Sequence, residues 1–128
     1  MFDAFCTVYE RKTASIMRLA TGGTGRLPEG DLPEALVEVL TTRAHNLASQ
    51  FLNMLIRAVD YLPPVDVRLG EYLRAIITAD SELVPDDTWN YREALIDAFR
   101  LRGVYPREVV SLNEDSLLWR PPRRTLAP

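Results

Sequence analysis

Apolar residues recur at three- and four-residue steps along most of this chain, the spacing that gathers side chains on one side of an α-helix. Phe2, Phe5, Cys6, Tyr9, Thr13, Ile16, Met17 and Ala20 keep that step and predict a first helix over 2–20. It is expected to stop at Thr21-Gly22-Gly23-Thr24-Gly25, where glycine supplies the left-handed backbone that a helix end uses. Asp31-Leu32-Pro33-Glu34 predicts the next start, with Asp31 accepting from free amides, Glu34 completing a capping box, and Pro33 harmless in a first turn. From Leu36 through Leu40, Leu47, Phe51, Leu55 and Val59 to Leu62, one stripe runs unbroken until Pro63-Pro64. That predicts a second helix of about 30 residues and ~45 Å, the expected central element against which the others pack.

Asp66 is placed to cap a third helix carried by Leu69, Tyr72, Leu73, Ile76 and Ile77 and ending near Asp80. Pro85-Asp86-Asp87-Thr88 opens a fourth, carried by Tyr91, Ala94, Leu95, Ala98 and Phe99, with Gly103 as terminator. Ser111-Leu112-Asn113-Glu114 caps a short last helix reaching Trp119. No strand-type alternation persists. The predicted fold is all-α: an irregular bundle of four main helices around one long central helix, plus a short C-terminal helix. Residues 1–120 are read as one domain and 121–128 as a flexible Pro/Arg-rich tail.

Composition narrows the function classes. An apolar fraction of 47% and a charged fraction of 26% in 128 residues suit one domain with a real core. A formal charge of −3 argues against a nucleic-acid partner, whose phosphates are met with basic side chains. Cys6 is the only cysteine, so neither an intrachain disulfide nor a thiolate cluster is possible. No apolar run approaches the ~20 residues that span a bilayer, and no secretory leader pattern opens the chain. The expected compartment is the cytoplasm, with no membrane partner. The amphipathic pattern begins at once with Phe2 and Phe5, as if cut from something longer.

Candidate chemistry is sparse. His45 is the only histidine, and pairing it with Glu38 leaves a metal site without further ligands. The zinc helix HExxH is absent. Thr21 to Arg26 superficially suggests a phosphate loop, but it follows a helix and lacks the lysine such loops carry. Asp66, Asp86 and Asp87 read as caps, and Asp60, Glu71 and Asp80 as carboxylates near helix ends. Asp80-Ser81-Glu82 is too sparse for a calcium loop. Ser15 and Ser49 have no histidine base, and Cys6 reads as a buried inert thiol. Arg100, Arg102, Arg107, Arg120, Arg123 and Arg124 read as a solvated or salt-bridged face, with docking of an acidic partner as the alternative. No catalytic, cofactor-binding or metal residue is assigned, and no cofactor is expected.

Several stretches are similar to a bacterial family of zinc-metallopeptidase-like proteins of the gluzincin type. They are Phe2-Asp3-Ala4-Phe5, Ala20 to Gly25, Leu27 to Leu32, Ile56 to Asp66, Tyr72 to Asp80, Leu83 to Asp87 and Arg100 to Pro106. In that family the HExxH helix lies upstream, in a part this chain does not contain, so no zinc ligand or general base carries over. The resemblance implies a non-catalytic C-terminal helical region packing beside a catalytic part supplied elsewhere. The alternative is a stand-alone helical module that self-associates along the second helix and has no enzymatic activity. Either way the expected partner is protein: the missing N-terminal part, or another copy.

With one histidine and one cysteine, the purified untagged chain is expected to hold no stoichiometric zinc on elemental analysis. One tightly held zinc per chain, lost in His45→Ala, would contradict this.

Overall fold

The computed structural model describes residues 1–120; the segment read as a tail, with Arg123 and Arg124, lies outside the described residues. The helices are α1 (Phe2–Ala20), α2 (Glu34–Ala58), α3 (Leu69–Leu83), α4 (Tyr91–Leu101) and α5 (Glu114–Leu117), with a 3-10 turn at Val59–Tyr61 after α2. No strand occurs among the described residues, and the helices pack as an all-α bundle.

Two helix ends follow the glycine signals. Gly22 (φ 59°) and Gly103 (φ 66°) take the left-handed conformation. The amides just beyond them, of Gly23 and Val104, reach back to the Arg18 and Phe99 carbonyls at 3.0 and 3.1 Å. The starts are less faithful. α2 begins at Glu34, where the Pro33 carbonyl accepts from the Leu36 and Val37 amides, so Asp31 lies too far upstream and the expected capping box does not form. Asp66 takes a left-handed turn (φ 57°) instead of capping α3, and the Glu71 carboxylate accepts from the Arg68 amide at 3.3 Å. Asp87 does cap α4: its two oxygens accept from the Tyr91 and Arg92 amides at 2.8 and 2.9 Å. Asn113 likewise caps α5 through the Ser116 amide.

α3 is enclosed along its second half. Leu73 and every residue from Ala75 to Asp80 are buried, which requires neighbours on all sides. α2, α4 and α5 all pack against it, and α1 joins through α2 and α4. Its start is pressed against the 104–106 segment: a Cβ on Gly70 would stand 2.6 Å from the Pro106 Cα, so only glycine fits there. α2 is the longest helix, at 25 residues instead of about 30, and it packs against α1 and α3 and meets α4 through Phe51 and Tyr91. Its first three turns are at most half-buried, at Leu36, Leu40 and Ala44, and its fully buried positions are Leu47, Phe51, Met54 and Ala58. α1 runs antiparallel to α4: Asp3 pairs with Arg102 at one end, and Arg11 donates to the Trp89 and Asn90 carbonyls at the other. No helix among the described residues is long and apolar enough to cross a membrane.

Phe51 joins the layers. Its ring lies 6.2 Å from Phe5 of α1 and 5.4 Å from Tyr91 of α4, both tilted, a favourable aromatic geometry. Leu55, expected to be buried beside it, is only half-buried. Phe51→Ala should cost ~3–5 kcal/mol in denaturant unfolding, as truncation of a buried aromatic ring does. A loss below about 1 kcal/mol would mean that the ring does not bridge the helices.

Candidate functional site

Arg92 organises one end of the bundle. Its side chain is only 5% exposed, and Nη1 meets the Asp80 carboxylate at 2.8 Å while Nε meets Glu114 at 2.7 Å. Nη1 and Nη2 also donate to the Val84 and Pro85 carbonyls at 2.9 and 3.1 Å. Four donors of one planar fork therefore fix the end of α3, the turn after it, and α5 to the start of α4. Burial alone would lower the pKa of this guanidinium; Asp80, Glu114 and Asp87 outweigh that and raise it. For Asp80, burial wins over the partner and holds the carboxyl above the usual aspartate range.

Above this network lies a cleft of about 420 Å³ between α1, α2 and the 84–91 segment. The Lys12 Nζ sits 5.6 Å from the Trp89 ring centre and 5.0 Å from that of Tyr91, and donates to Gln50 Oε1 at 3.1 Å. The Tyr91 hydroxyl donates to the same oxygen. Burial, with Asp87 and Asp80 adding, pushes the Tyr91 pKa up to about 12. Burial, and then the nearby Arg43, lower that of Lys12. Arg57 and Asn53 complete the α2 wall. The ion pairs among the described residues include neither Lys12, Arg43 nor Arg57. The lining contains no histidine, cysteine or serine; its ionisable and hydroxyl groups are Lys12, Arg57, Asp80, Asp86, Asp87, Thr88 and Tyr91.

A second feature is the outer face of α2. Thr41, His45, Ala48, Leu52, Ile56 and Val59 succeed one another at three- and four-residue steps and are all exposed. Leu52, Ile56 and Val59 are 56–58% exposed, well above the few per cent of the core, with no charged residue between them along the stripe.

The residues singled out from sequence do not converge. His45 and Glu38 stand exposed on α2, and no group of three potential metal ligands gathers among the described residues. The 21–26 loop closes on itself: the Thr24 hydroxyl donates to the Thr21 carbonyl at 2.7 Å. Cys6 is half-buried, not buried. Asp60, Asp66 and Asp86 are exposed, whereas Asp80 is absorbed by Arg92. Arg100 pairs with Asp97 and Arg102 with Asp3, so part of the basic lean is salt-bridged; Arg107 and Arg120 are exposed. Sequence reasoning passed over Arg92, Arg57 and Trp89. One signal was available: Arg92 shares a helix face with Leu95 and Phe99, at spacings of three and seven, where a cation needs partners. No family model, curated protein or solved structure matches this chain.

Arg92→Met would leave the Asp80 carboxylate buried without its counter-charge, at a cost of about 3–5 kcal/mol near neutral pH. The pH dependence has a definite sign. The folded-state pKa of Asp80 already lies above the unfolded one, and losing Arg92 raises it further. Its contribution is therefore favourable below the unfolded aspartate value and is lost as pH rises through the folded one. Urea melts should show a smaller deficit at about pH 4 than at about pH 7. An equal deficit at both would place the cost in packing.

Proposed function

We propose that this chain is a helical protein–protein interaction module that pairs with a second copy of itself through the outer face of α2. The observation that carries the reading is the exposed apolar stripe ending in Leu52, Ile56 and Val59. From Thr41 to Val59 it runs ~27 Å, close to the width of a small domain, so two copies could bury it along its whole length.

The stripe is also self-complementary. An antiparallel two-fold pairing centred between Ala48 and Leu52 sets Ala48 against Leu52 of the copy, His45 against Ile56, and Thr41 against Val59. Each smaller or more polar side chain then meets a larger apolar one, as knobs meet holes. A two-fold contact needs such a self-matching surface.

Light scattering across a concentration series should show a discrete dimer for the wild-type chain. Leu52→Asp and Ile56→Asp should shift it to monomer while leaving the melting temperature of the monomer unchanged, because both side chains face outward. A monomer at about 1 mM would contradict self-pairing. So would polydisperse association that Leu52→Asp leaves in place, the behaviour expected if an absent polypeptide part normally covers the chain elsewhere.

A further inference from the structure

Lys12 is the only lysine in the chain, and the fold sets its amine in the cleft beside Arg92. Its Nζ sits over the Trp89 and Tyr91 rings, 5.6 and 5.0 Å from their centres, and donates to Gln50 Oε1 at 3.1 Å. The Tyr91 hydroxyl donates to the same oxygen, so amine and phenol share one acceptor. The ionisable groups around the amine come from three elements: Arg43 and Arg57 of α2, Asp80 of α3, and Asp86, Asp87 and Tyr91 of the 84–91 segment. Among the described residues no carboxylate reaches ion-pair distance of Lys12, whereas Arg43 repels its charge. The ring faces favour the ammonium. Lost hydration, and then Arg43, act against it and hold its pKa below the usual lysine range. Burial beside a second cation is an environment that activates a lysine as a nucleophile.

We infer that Lys12 is a nucleophilic amine and that this cleft takes an aromatic aldehyde, which condenses with it to an imine while its ring lies against Trp89. The step balances without a redox partner. Lys12 first gives one proton to solvent, and the neutral amine attacks the carbonyl carbon. A C–N bond forms and the carbonyl electron pair moves to oxygen, which takes up a proton. The carbinolamine then loses water: the C–O bond breaks, the nitrogen lone pair makes the C=N bond, and the remaining nitrogen proton leaves to solvent. Burial, with Asp87 and Asp80, pushes the Tyr91 pKa up to about 12, so its hydroxyl keeps its proton near neutral pH and can donate to the carbonyl oxygen in place of Gln50. An uncharged Lys12 is no longer drawn to the ring face, which frees the indole for the aldehyde. The charge of the walls does not select a neutral aldehyde; the fit comes from the indole, from Met54 and Val84, and from a space of about 420 Å³. Gln50 and Arg57 line this cleft while Leu52 and Ile56 belong to the outer stripe of α2, so reaction and pairing can be tested apart.

The test is reductive trapping on the full chain, with benzaldehyde or acetaldehyde and sodium cyanoborohydride, followed by peptide mass mapping. With a single lysine, an amine adduct falls on Lys12 or on the terminal amine, and the two lie in separable peptides. Benzaldehyde should label Lys12 with a rate that saturates and that exceeds the rate for Nα-acetyl-lysine at least about tenfold near neutral pH. The pH of half-maximal labelling should lie below that of the same model amine. Arg43→Gln should move this midpoint up, because the cation it removes disfavours the ammonium. Trp89→Ala should leave Lys12 reactive but abolish the preference for benzaldehyde over acetaldehyde, each rate being taken relative to Nα-acetyl-lysine. Three results would overturn the inference: labelling no faster than the model amine, a midpoint at or above that of the model amine, or a benzaldehyde preference that Trp89→Ala leaves unchanged.

Discussion

One buried guanidinium fixes the geometry on which the rest of this molecule depends. Arg92 is buried and holds Asp80, Glu114 and the Val84 and Pro85 carbonyls around it. Buried ion pairs often contribute little net stability, because the desolvation of two charges offsets their attraction. Their stronger effect is on register. A fork with fixed donor directions accepts one arrangement of α3, the 84–85 turn, α4 and α5, and misplacing any of them strands a charge. Among the described residues, no buried side-chain polar atom lacks a partner, so the network is complete as it stands. Asp87, from the same turn, caps α4 and so aims Tyr91 at Phe51 and the cleft.

That arrangement leaves α2 with divided duties. One face, from Leu47 to Ala58, closes the core against α1 and α3. A flank carrying Arg43, Gln50 and Arg57 at seven-residue spacing borders the cleft and its approach. The outer face carries the Leu52, Ile56 and Val59 stripe to solvent. An amphipathic helix in a small bundle normally shows charge on that side, so apolar residues there ask for a covering surface. The self-pairing reading supplies one without any residue from outside the chain.

Much of the fold was legible because helical periodicity and glycine stops act locally. The run from Phe2 to Ala20, the stop at Gly22 and the terminator at Gly103 depend on residues within a turn or two of one another. The starts of α2 and α3 were misread for a related reason. Asp31 and Asp66 have the right chemistry, but where a helix begins is set by packing several residues further on, and Arg68 and Glu71 take the work at α3. The prominence of α3 was hidden because its stripe is shorter than that of α2. Burial on all sides is a property of its neighbours and not of its own pattern. The cleft was the least legible part. Lys12, Arg57 and Trp89 come from three separate segments, and only the fold brings them together. The outer stripe of α2 is missed by the periodic reading, whose single stripe runs through Phe51 and Leu55 and takes in Val59 but neither Leu52 nor Ile56; period alone does not say which side of a broadly apolar helix finds a partner.

The most direct test of α2 as a self-pairing surface reads its register. A spin label on Ser49→Cys, in a Cys6→Ser background, would be mixed with unlabelled-spin, isotope-enriched protein. The antiparallel arrangement predicts intermolecular line broadening centred on the amides around Phe51 and Leu52 of the other copy, falling off toward Glu34 and Leu69. Broadening centred on the ends of α1 or α4, or none at concentrations where scattering reports a dimer, would contradict it.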